Sequence, residues 1–332
     1  LLTDPKIDSA LAIFVPPLGI KQADVAEAIA EIGTRHKDKP VLGVLMGREG
    51  LPQGKAELHE VGIPAYIFPE SAARALATLC RYREWSERPA LETPTYSVDS
   101  TRARGIIDRA VAGGLNKLSE IDTLDLFDAY GIPVAPARLA TSPDDAVKMA
   151  EELGYPVAMK IVSPEIIHKT DVGGVVLGCD EADEVREAFG QIVGNVEQRN
   201  PEATITGVLV QRMVKGGRET IVGVNRDASF GPMIMFGLGG VLVEAVRDVV
   251  FRIAPLSQND ARDMVRGLRG FQILEGIRGQ GPADLSALEE ILLRVSQLAA
   301  DNKEISELDI NPLLAFTDGA KAVDGRVMIA IP

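Results

Sequence analysis

Lys160, His168 and the glycine pair Gly173-Gly174 form the first group of residues whose types and spacing suit phosphate chemistry. A lysine ammonium and the backbone N–H groups of a glycine turn are both ligands for a phosphate chain. A histidine beside such groups can accept a phosphoryl group as a nucleophile, since cations and N–H donors stabilise the added charge. Taken alone, this segment favours an ordinary polar loop histidine, and a phosphorylated histidine is the alternative that other residues must support.

His168 has two further candidate roles, as a metal ligand or as a member of a Ser-His-Asp triad. The other two histidines, His36 and His59, have no paired spacing, which argues against a histidine metal site. No nucleophile-elbow motif occurs in the chain, so the triad stays open without support from the sequence.

The end of the chain carries an acid and amide group that suits a hard cation. If Asp318-Gly319 forms a two-residue type I′ turn, the hairpin register pairs Asn311 with Arg326. The two-residue period of a strand then places Asp309, Asn311 and Asp324 on one face, with the last two as diagonal neighbours. Two carboxylates and an amide oxygen suit Mg²⁺, which keeps positions for water and phosphate. A solvated strand face is the alternative, but a covered acid pair is costly unless a cation lies there.

A third group follows an apolar strand that ends in Gln211, Arg212, Met213 and Val214, with Glu219 shortly after it. The strand can offer backbone groups to a purine, and the acid can bind the ribose. An ordinary hairpin around the turn at 215–217 explains the same residues, so both interpretations stay open here.

The glycine cluster Gly237, Gly239 and Gly240 resembles half of a dinucleotide-binding fingerprint. The full GxGxxG pattern is missing and no βαβ unit surrounds it, so we reject a Rossmann site. We expect a close backbone approach to an anion, or simply the end of a strand.

The elements that position these residues fall into two patterns. Residues 9–17, 40–46 and 63–68 are short apolar runs separated by helical stretches, which predicts half of a doubly wound α/β sheet. Two prolines, Pro89 and Pro94, and the lack of periodicity between residues 84 and 99 predict an interdomain linker.

The rest of the chain is predicted to be α+β. Ser142-Pro143 begins a helix and Gly154 ends it, before a strand that carries Lys160. A helix at about 181–199, several strands, two helices near 257–268 and 284–300, and a last pair of strands complete the pattern.

Composition excludes several classes of protein. The chain has 35 basic and 48 acidic side chains and a net charge of -13, so a sequence-independent nucleic-acid binder is not expected. Two cysteines without CxxC spacing, Cys80 and Cys179, are typical of the cytoplasm. No apolar run is long enough for a membrane span. The chain begins with Leu-Leu-Thr, so a fragment of a longer protein is an open alternative.

Together the motifs occur in the order and spacing of an ATP-grasp domain. More narrowly, the chain resembles the NDP-forming acyl-CoA synthetases, the ADP-forming acetate–CoA ligase family, which are relatives of succinyl-CoA synthetase. Residues 1–88 resemble the last half of a flavodoxin-like CoA-ligase domain, followed by a linker at 89–104 and the ATP-grasp domain at 105–332. The segments that carry the resemblance are Lys160, HKTDVGGV (168–175), VLVQRMV (208–214) with Glu219, FGPMIMFGLGGVLVE (230–244) and ELDINPL (307–313) with Asp324.

The resemblance implies that a carboxylate, CoA and ATP give acyl-CoA, ADP and phosphate through an acyl phosphate and a phosphohistidine. His168 matches the histidine that relays the phosphoryl group, and Asp309 lies where relatives have a glutamate that orients it. Glu244 and Asp248 match family positions without an assigned role. The remaining implied roles are Lys160 for the ATP phosphates, Gly173 and Gly174 for the loop over them, Gln211 to Val214 for adenine, Glu219 for the ribose, and Asn311 and Asp324 for Mg²⁺.

The resemblance also implies partners. CoA and a small carboxylic acid would bind mainly to N-terminal CoA-binding and ligase domains, in the same polypeptide or in a partner subunit, within a homo- or hetero-oligomer. The acid, and ATP rather than GTP, cannot be chosen from the sequence. Two alternatives are the sensing body of a protein lysine acetyltransferase and an ATP-grasp carboxylate–amine ligase; His168, Asn311 and Asp324 favour the synthetase over the first.

Overall fold

The computed structural model describes residues 1–16, 19–46, 54–87, 93–166, 168–240, 248–276 and 281–330, so Glu244 lies outside the described residues. The chain divides into two compact units, Leu1–Ala90 and Leu91–Pro332. Within the described ranges, no helix is both long and apolar enough to cross a membrane.

The first unit is a parallel three-stranded sheet with helices between its strands. Its elements are β1 (Ala10–Phe14), α1 (Gln22–Arg35), β2 (Val41–Leu45), α2 (Lys55–Glu60), β3 (Ala65–Tyr66) and α3 (Pro69–Ser86). The strand order is β1-β2-β3. Both faces of β2 are covered, because Leu42 and Val44 pack with Ala72 while Leu45 packs with Leu58. The predicted parallel α/β arrangement is therefore confirmed.

A four-stranded antiparallel sheet forms what we call the small lobe of the second unit. Its elements are β4 (Ala137–Ala140), α6 (Pro143–Leu153), β5 (Val157–Val162), β6 (Val175–Cys179), α7 (Ala182–Arg199) and β7 (Gly207–Arg212), in the strand order β4-β7-β5-β6. The helix α6 begins as predicted, since Ser142 Oγ accepts from the Asp145 N–H at 3.2 Å and Pro143 follows it. Gly154, at φ 83°, ends it.

A second antiparallel sheet, six-stranded in the described residues, forms the large lobe. The order is β10-β9-β8-β11-β12, and β13 pairs with β11. Buried residues of the sheet and its helices, such as Phe127, Phe236 and Leu292, make one core. The elements are α4 (Ser100–Ala112), α5 (Glu120–Ala129), β8 (Arg218–Asp227), β9 (Gly231–Leu238), β10 (Val249–Ile253), α8 (Gln258–Arg266), α9 (Gln272–Glu275), α10 (Leu285–Asp301), β11 (Ile305–Phe316), β12 (Gly319–Ala322) and β13 (Gly325–Ile329).

The helix α4 begins inside the predicted linker of residues 89–104. Asp99 caps it, because Asp99 Oδ1 accepts from the Arg102 N–H at 3.0 Å. Residues 100–104 of the segment predicted as linker are therefore helical.

The terminal hairpin differs from its predicted register. Phe316 pairs with Gly319, so the loop is 317–318 and the predicted turn at Asp318-Gly319 is wrong by one residue. The observed register pairs Leu313 with Ala322 and Ala315 with Ala320, which buries four apolar residues together, whereas the predicted one sets Leu313 opposite Asp324. The observed partner of each β11 residue lies two positions before the predicted one, so every side chain remains on its predicted face of the sheet.

Candidate functional site

Lys160 connects the two lobes. It lies in β5, and its neighbours Met159 and Ile161 are completely buried in the small-lobe core, so strand alternation directs Lys160 to the other face. The side chain is 14% exposed, and its Nζ donates to Asp324 Oδ2 of the large lobe at 3.0 Å. The structure thus brings a predicted phosphate ligand against a predicted metal ligand.

Asn311 and Asp324 face each other directly across the hairpin rather than diagonally. The Asn311 N–H donates to the Asp324 carbonyl at 3.1 Å, and Asp324 Oδ1 accepts from the Gly325 N–H at 2.8 Å. Asp309, two residues before Asn311, is opposite Arg326. Burial raises the pKa of the Asp309 carboxyl, the charge of Arg326 lowers it, and the charge of Asp324 raises it again. An added cation would relieve this concentration of acids.

The donors on this hairpin suit one class of metal. Within the ranges that the structure describes, no group of three or more His, Cys, Asp or Glu residues is placed to hold an ion. Mg²⁺ takes one or two carboxylates and completes its shell with water and phosphate. The oxygen donors of Asn311 and Asp324 therefore fit the predicted ion.

His168 belongs to residues 163–174, which we call the histidine segment. Its side chain is exposed, and no described residue makes a hydrogen bond or ion pair with its ring. Before it, Glu165 Oε2 accepts from Ser163 Oγ at 3.0 Å and from the Thr204 N–H at 3.1 Å. The backbone N–H of Glu165 and then the Ser163 hydroxyl lower the pKa of the Glu165 carboxyl. The first half of the segment is thus tied to the small lobe.

The glycine pair closes the other half of the segment. The Gly173 N–H donates to Thr170 O at 3.0 Å, and the Gly174 N–H donates to Lys169 O at 2.8 Å. Gly173 has φ 68°, and a Cβ on Gly174 would lie 2.5 Å from Ile161 Cγ2. Local geometry thus requires both glycines, and their contact with phosphate stays a prediction.

Lys169 makes a contact that the sequence did not reveal. Its Nζ forms an ion pair with Glu120, the first residue of α5, and the two side chains are 16% and 15% exposed. Nothing in the spacing of these residues signals the pair, because 49 positions separate them.

Backbone hydrogen bonds already use two N–H groups at the strand end Gln211–Val214. The N–H groups of Arg212 and Met213 donate to Pro136 O and Pro156 O at 3.0 and 2.9 Å. Gln211 is 2% exposed, and its Nε2 donates to Val323 O at 2.9 Å, next to Asp324. The side chain of Gln211 therefore fixes the predicted adenine strand to the hairpin, a role that sequence reasoning missed.

Glu219 lies directly against the glycine cluster. The Gly239 N–H donates to Glu219 O at 2.7 Å, and Cβ atoms on Gly239 and Gly240 would lie 2.8 Å from Glu219 Cβ and 2.6 Å from Glu219 Oε2. The backbone of Gly239 and Gly240 therefore packs closely against Glu219, and an approach to a bound anion stays a prediction. Gly237 lies in β9, and Gly239 and Gly240 follow its end, so the expected strand end is present.

Asp248, which the resemblance left without a role, supports a turn. Its carboxylate is buried and accepts from the backbone N–H groups of Arg269 and Gly270 at 2.9 and 2.7 Å. A buried carboxylate that accepts from backbone N–H groups in this way is typical of a structural residue.

Comparisons with known proteins show the family to which the chain belongs. A family model described as an ATP-grasp domain matches residues 109–329. The chain is 42% identical over 330 residues to an ADP-forming acetate–CoA ligase I of Archaeoglobus fulgidus, covering 99% of this chain and 47% of that protein. It is 46% identical over 228 residues to the β subunit of the Pyrococcus furiosus acetate–CoA ligase I, covering 69% of this chain and 98% of the subunit. The chain thus spans about half of the longer relative and nearly all of the shorter one.

A solved relative adds structural similarity. The dinucleotide forming acetyl-coenzyme A synthetase 1 of Ca. Korarchaeum cryptofilum, in complex with coenzyme A and Mg-AMPPCP, is 40% identical with a TM-score of 0.62, over 68% of this chain and 99% of that one. Its phosphohistidine segment points towards the nucleotide binding site. In another structure of that protein, 41% identical with a TM-score of 0.65 and the same coverage, the phosphorylated segment has the site I orientation. The predicted fold class is confirmed.

Proposed function

The chain belongs to the ATP-grasp family and, within it, to the ADP-forming acetate–CoA ligases, and we propose that it is the nucleotide-using part of an acyl-CoA synthetase. The whole enzyme converts a carboxylate, CoA and ATP to acyl-CoA, ADP and phosphate. Phosphorylated His168 and an acyl phosphate are the intermediates. ADP or ATP and Mg²⁺ bind to this chain.

The contact between Lys160 Nζ and Asp324 Oδ2 is the observation that carries this proposal. It brings the cation for the phosphates and a carboxylate for Mg²⁺ to one point between the lobes. The histidine segment begins three residues after Lys160 in the same chain. A nucleotide bound between the lobes would therefore have its phosphates near the start of this segment.

Each residue has a defined part in phosphoryl transfer. Lys160 binds the β- and γ-phosphates, and Asn311 and Asp324 would hold Mg²⁺, which would supply further neutralisation of the phosphate charge. The neutral imidazole of His168 attacks the γ-phosphorus, the bond from that phosphorus to the bridging oxygen breaks, and ADP leaves. Asp309 orients the phosphorylated ring.

Nucleotide recognition uses the other predicted residues. The backbone at Gln211, Arg212, Met213 and Val214 binds adenine, and Glu219 binds the ribose. The N–H groups of Gly173 and Gly174 are used inside their own turn, so they bind phosphate only after that turn rearranges.

The missing half of the reaction requires other domains. The longer Archaeoglobus relative supports preceding domains in the same polypeptide, and the separate Pyrococcus β subunit supports a partner subunit. In either case, residues 1–88 are part of the ligase domain, and the ATP-grasp domain follows the linker. These parts would bind CoA and a small carboxylic acid in a homo- or hetero-oligomer. The two cysteines, which lack CxxC spacing, support a cytoplasmic location.

Incubation with Mg²⁺ and ATP labelled at the γ-phosphate tests the proposal. We expect an acid-labile label on His168 and its loss in His168→Ala. The exposed His59 offers a matched control, and His59→Ala should keep the label. Full labelling of His168→Ala would overturn the proposal.

A further inference from the structure

The ion pair between Lys169 and Glu120 ties the histidine segment to the large lobe. We propose that Glu120 is a positioning residue that, through Lys169, keeps His168 over the ATP-grasp domain during phosphorylation. The inference rests on the proposed function. It assigns Glu120 to the reaction although Glu120 itself touches neither nucleotide nor phosphate.

The two partners belong to different cores. Glu120 begins α5, whose residues Leu126 and Phe127 are buried in the large-lobe core. Lys169 follows Ile166, which is buried in the small-lobe core. The pair therefore fixes the segment relative to a lobe that its own backbone does not belong to.

The other contacts of the described segment lead back to the small lobe. Glu165 bonds to Thr204, Asn195 Nδ2 donates to Gly173 O at 3.1 Å, and Arg199 donates to Asp171 O. These contacts lie three or more residues away from His168. Lys169 is the neighbour of His168, so its ion pair has the most direct influence on where the imidazole lies.

The burial of the pair gives it strength. Both side chains are about one-sixth exposed, and a shielded ion pair is screened far less than a surface pair. Moving the segment away would leave a shielded carboxylate without its cation, which is costly. The pair thus favours the position of the segment on this domain.

Glu120 also lies at a helix N-terminus, where an acid stabilises the helix on its own. A test must therefore separate positioning from stability. Lys169→Gln removes the same ion pair and leaves the helix end unchanged. Glu289→Gln is a matched control, because Glu289 is 18% exposed and pairs with Arg266 away from the segment.

The experiment uses the complete enzyme with its other domains or subunits and measures two half-reactions. Isotope exchange between ADP and ATP reports phosphorylation of the histidine, and phosphate release from phosphorylated enzyme with acetate and CoA reports its discharge. We expect Glu120→Gln to slow the exchange about tenfold at an unchanged KM for ATP, because misplaced reactants lose rate. Discharge should keep its rate, and Glu289→Gln should leave both rates unchanged.

A double variant decides whether the two residues act together. Glu120→Gln with Lys169→Gln should be no slower than either single variant, because both remove one interaction. The charge-reversed pair Glu120→Lys with Lys169→Glu should recover part of the exchange. An unchanged exchange rate in Glu120→Gln, or multiplied losses in the double variant, would overturn the inference. If the unsubstituted enzyme shows no exchange at all, the proposed function fails with it, which is a separate result.

Discussion

The terminal hairpin and the histidine segment carry the two halves of the candidate site, and they are held in different ways. In the hairpin, β11 pairs with β8 along one edge and with β12 and β13 along the other. Asp309 and Asn311 are therefore fixed by backbone hydrogen bonds. The histidine segment has no strand partner for His168 in the described residues and is tied mainly by side chains.

The contrast suits the proposed reaction. A site that neutralises phosphate must keep its charges in place, because preorganised groups need no rearrangement during the reaction. A residue that carries a phosphoryl group to another domain must leave, and contacts from a few side chains can be exchanged at lower cost than a sheet ladder. We therefore expect the histidine segment to tolerate displacement better than the hairpin does.

Lys160 pairs with Asp324 of the fixed half, and its removal has the largest expected effect. In Lys160→Met, the exchange of ADP with ATP should fall by about 10²- to 10³-fold, because a preorganised cation is lost at the phosphates. The free energy of unfolding should change by less than about 1 kcal/mol, since water can replace the cation at the 43% exposed Asp324. The exposed Lys148 of the same lobe provides the control, and Lys148→Met should keep the full rate.

An unchanged exchange rate in Lys160→Met would show that the lysine serves only as a connection between the lobes. In that case the fixed half of the site would consist of the hairpin alone.

The hairpin shows how far a sequence can predict such a site. Alternation along the strand correctly predicted that Asp309, Asn311 and Asp324 share one face. The turn was mispredicted by one residue, but this shifts each strand partner by two residues, and a shift of two leaves every side chain on the same face. The turn itself was mispredicted because Asp-Gly is a strong local signal. Burial of Leu313 against Ala322 outweighed that signal in the folded chain.

The contacts that position the segment could not be predicted in this way. Glu120 and Lys169 meet only because two lobes pack together, and Gln211 reaches Val323 for the same reason. A periodic pattern reports the face on which a residue lies. It does not report which residue of another element lies opposite.

Adding a methyl group at Gly174 tests how tightly the histidine segment is held in its position. Its Cβ would lie 2.5 Å from Ile161 Cγ2, and Ile161 is completely buried and cannot yield. We expect Gly174→Ala to lower the free energy of unfolding by about 1–3 kcal/mol and to slow labelling of His168, because the segment must shift. Denaturant unfolding and phosphorylation kinetics measure the two effects.

The control for this change is Gly190→Ala in α7, where a Cβ meets nothing within 4 Å and alanine favours the helix. Equal stability and labelling in Gly174→Ala and Gly190→Ala would mean that the segment is free to move even in its resting position.

The smallest expected effect compares one carboxylate from each half. Glu304 precedes β11, and its pKa is lowered first by the hydrogen bond from Arg104, at 2.8 Å, and then by its own backbone N–H. A lowered folded-state pKa adds stability above the ordinary value of 4.5, and that stability is lost as the pH falls through the folded-state value. Glu304→Gln should therefore reduce the free energy of unfolding at neutral pH, by less than about 1 kcal/mol, and the difference should shrink below pH 4.5.

Glu165 is the matching carboxylate of the histidine segment, with a pKa lowered in the same direction by its own backbone N–H and Ser163. Because the Glu165 carboxyl is exposed and its interactions are screened by solvent, Glu165→Gln should reduce the free energy of unfolding by less than Glu304→Gln does. It should also speed hydrogen exchange at the Thr204 N–H, whose acceptor loses its charge. Equal effects of the two substitutions on unfolding would show that the segment is as firmly built into the fold as the hairpin, and the proposed division between a fixed half and a movable half would then be wrong.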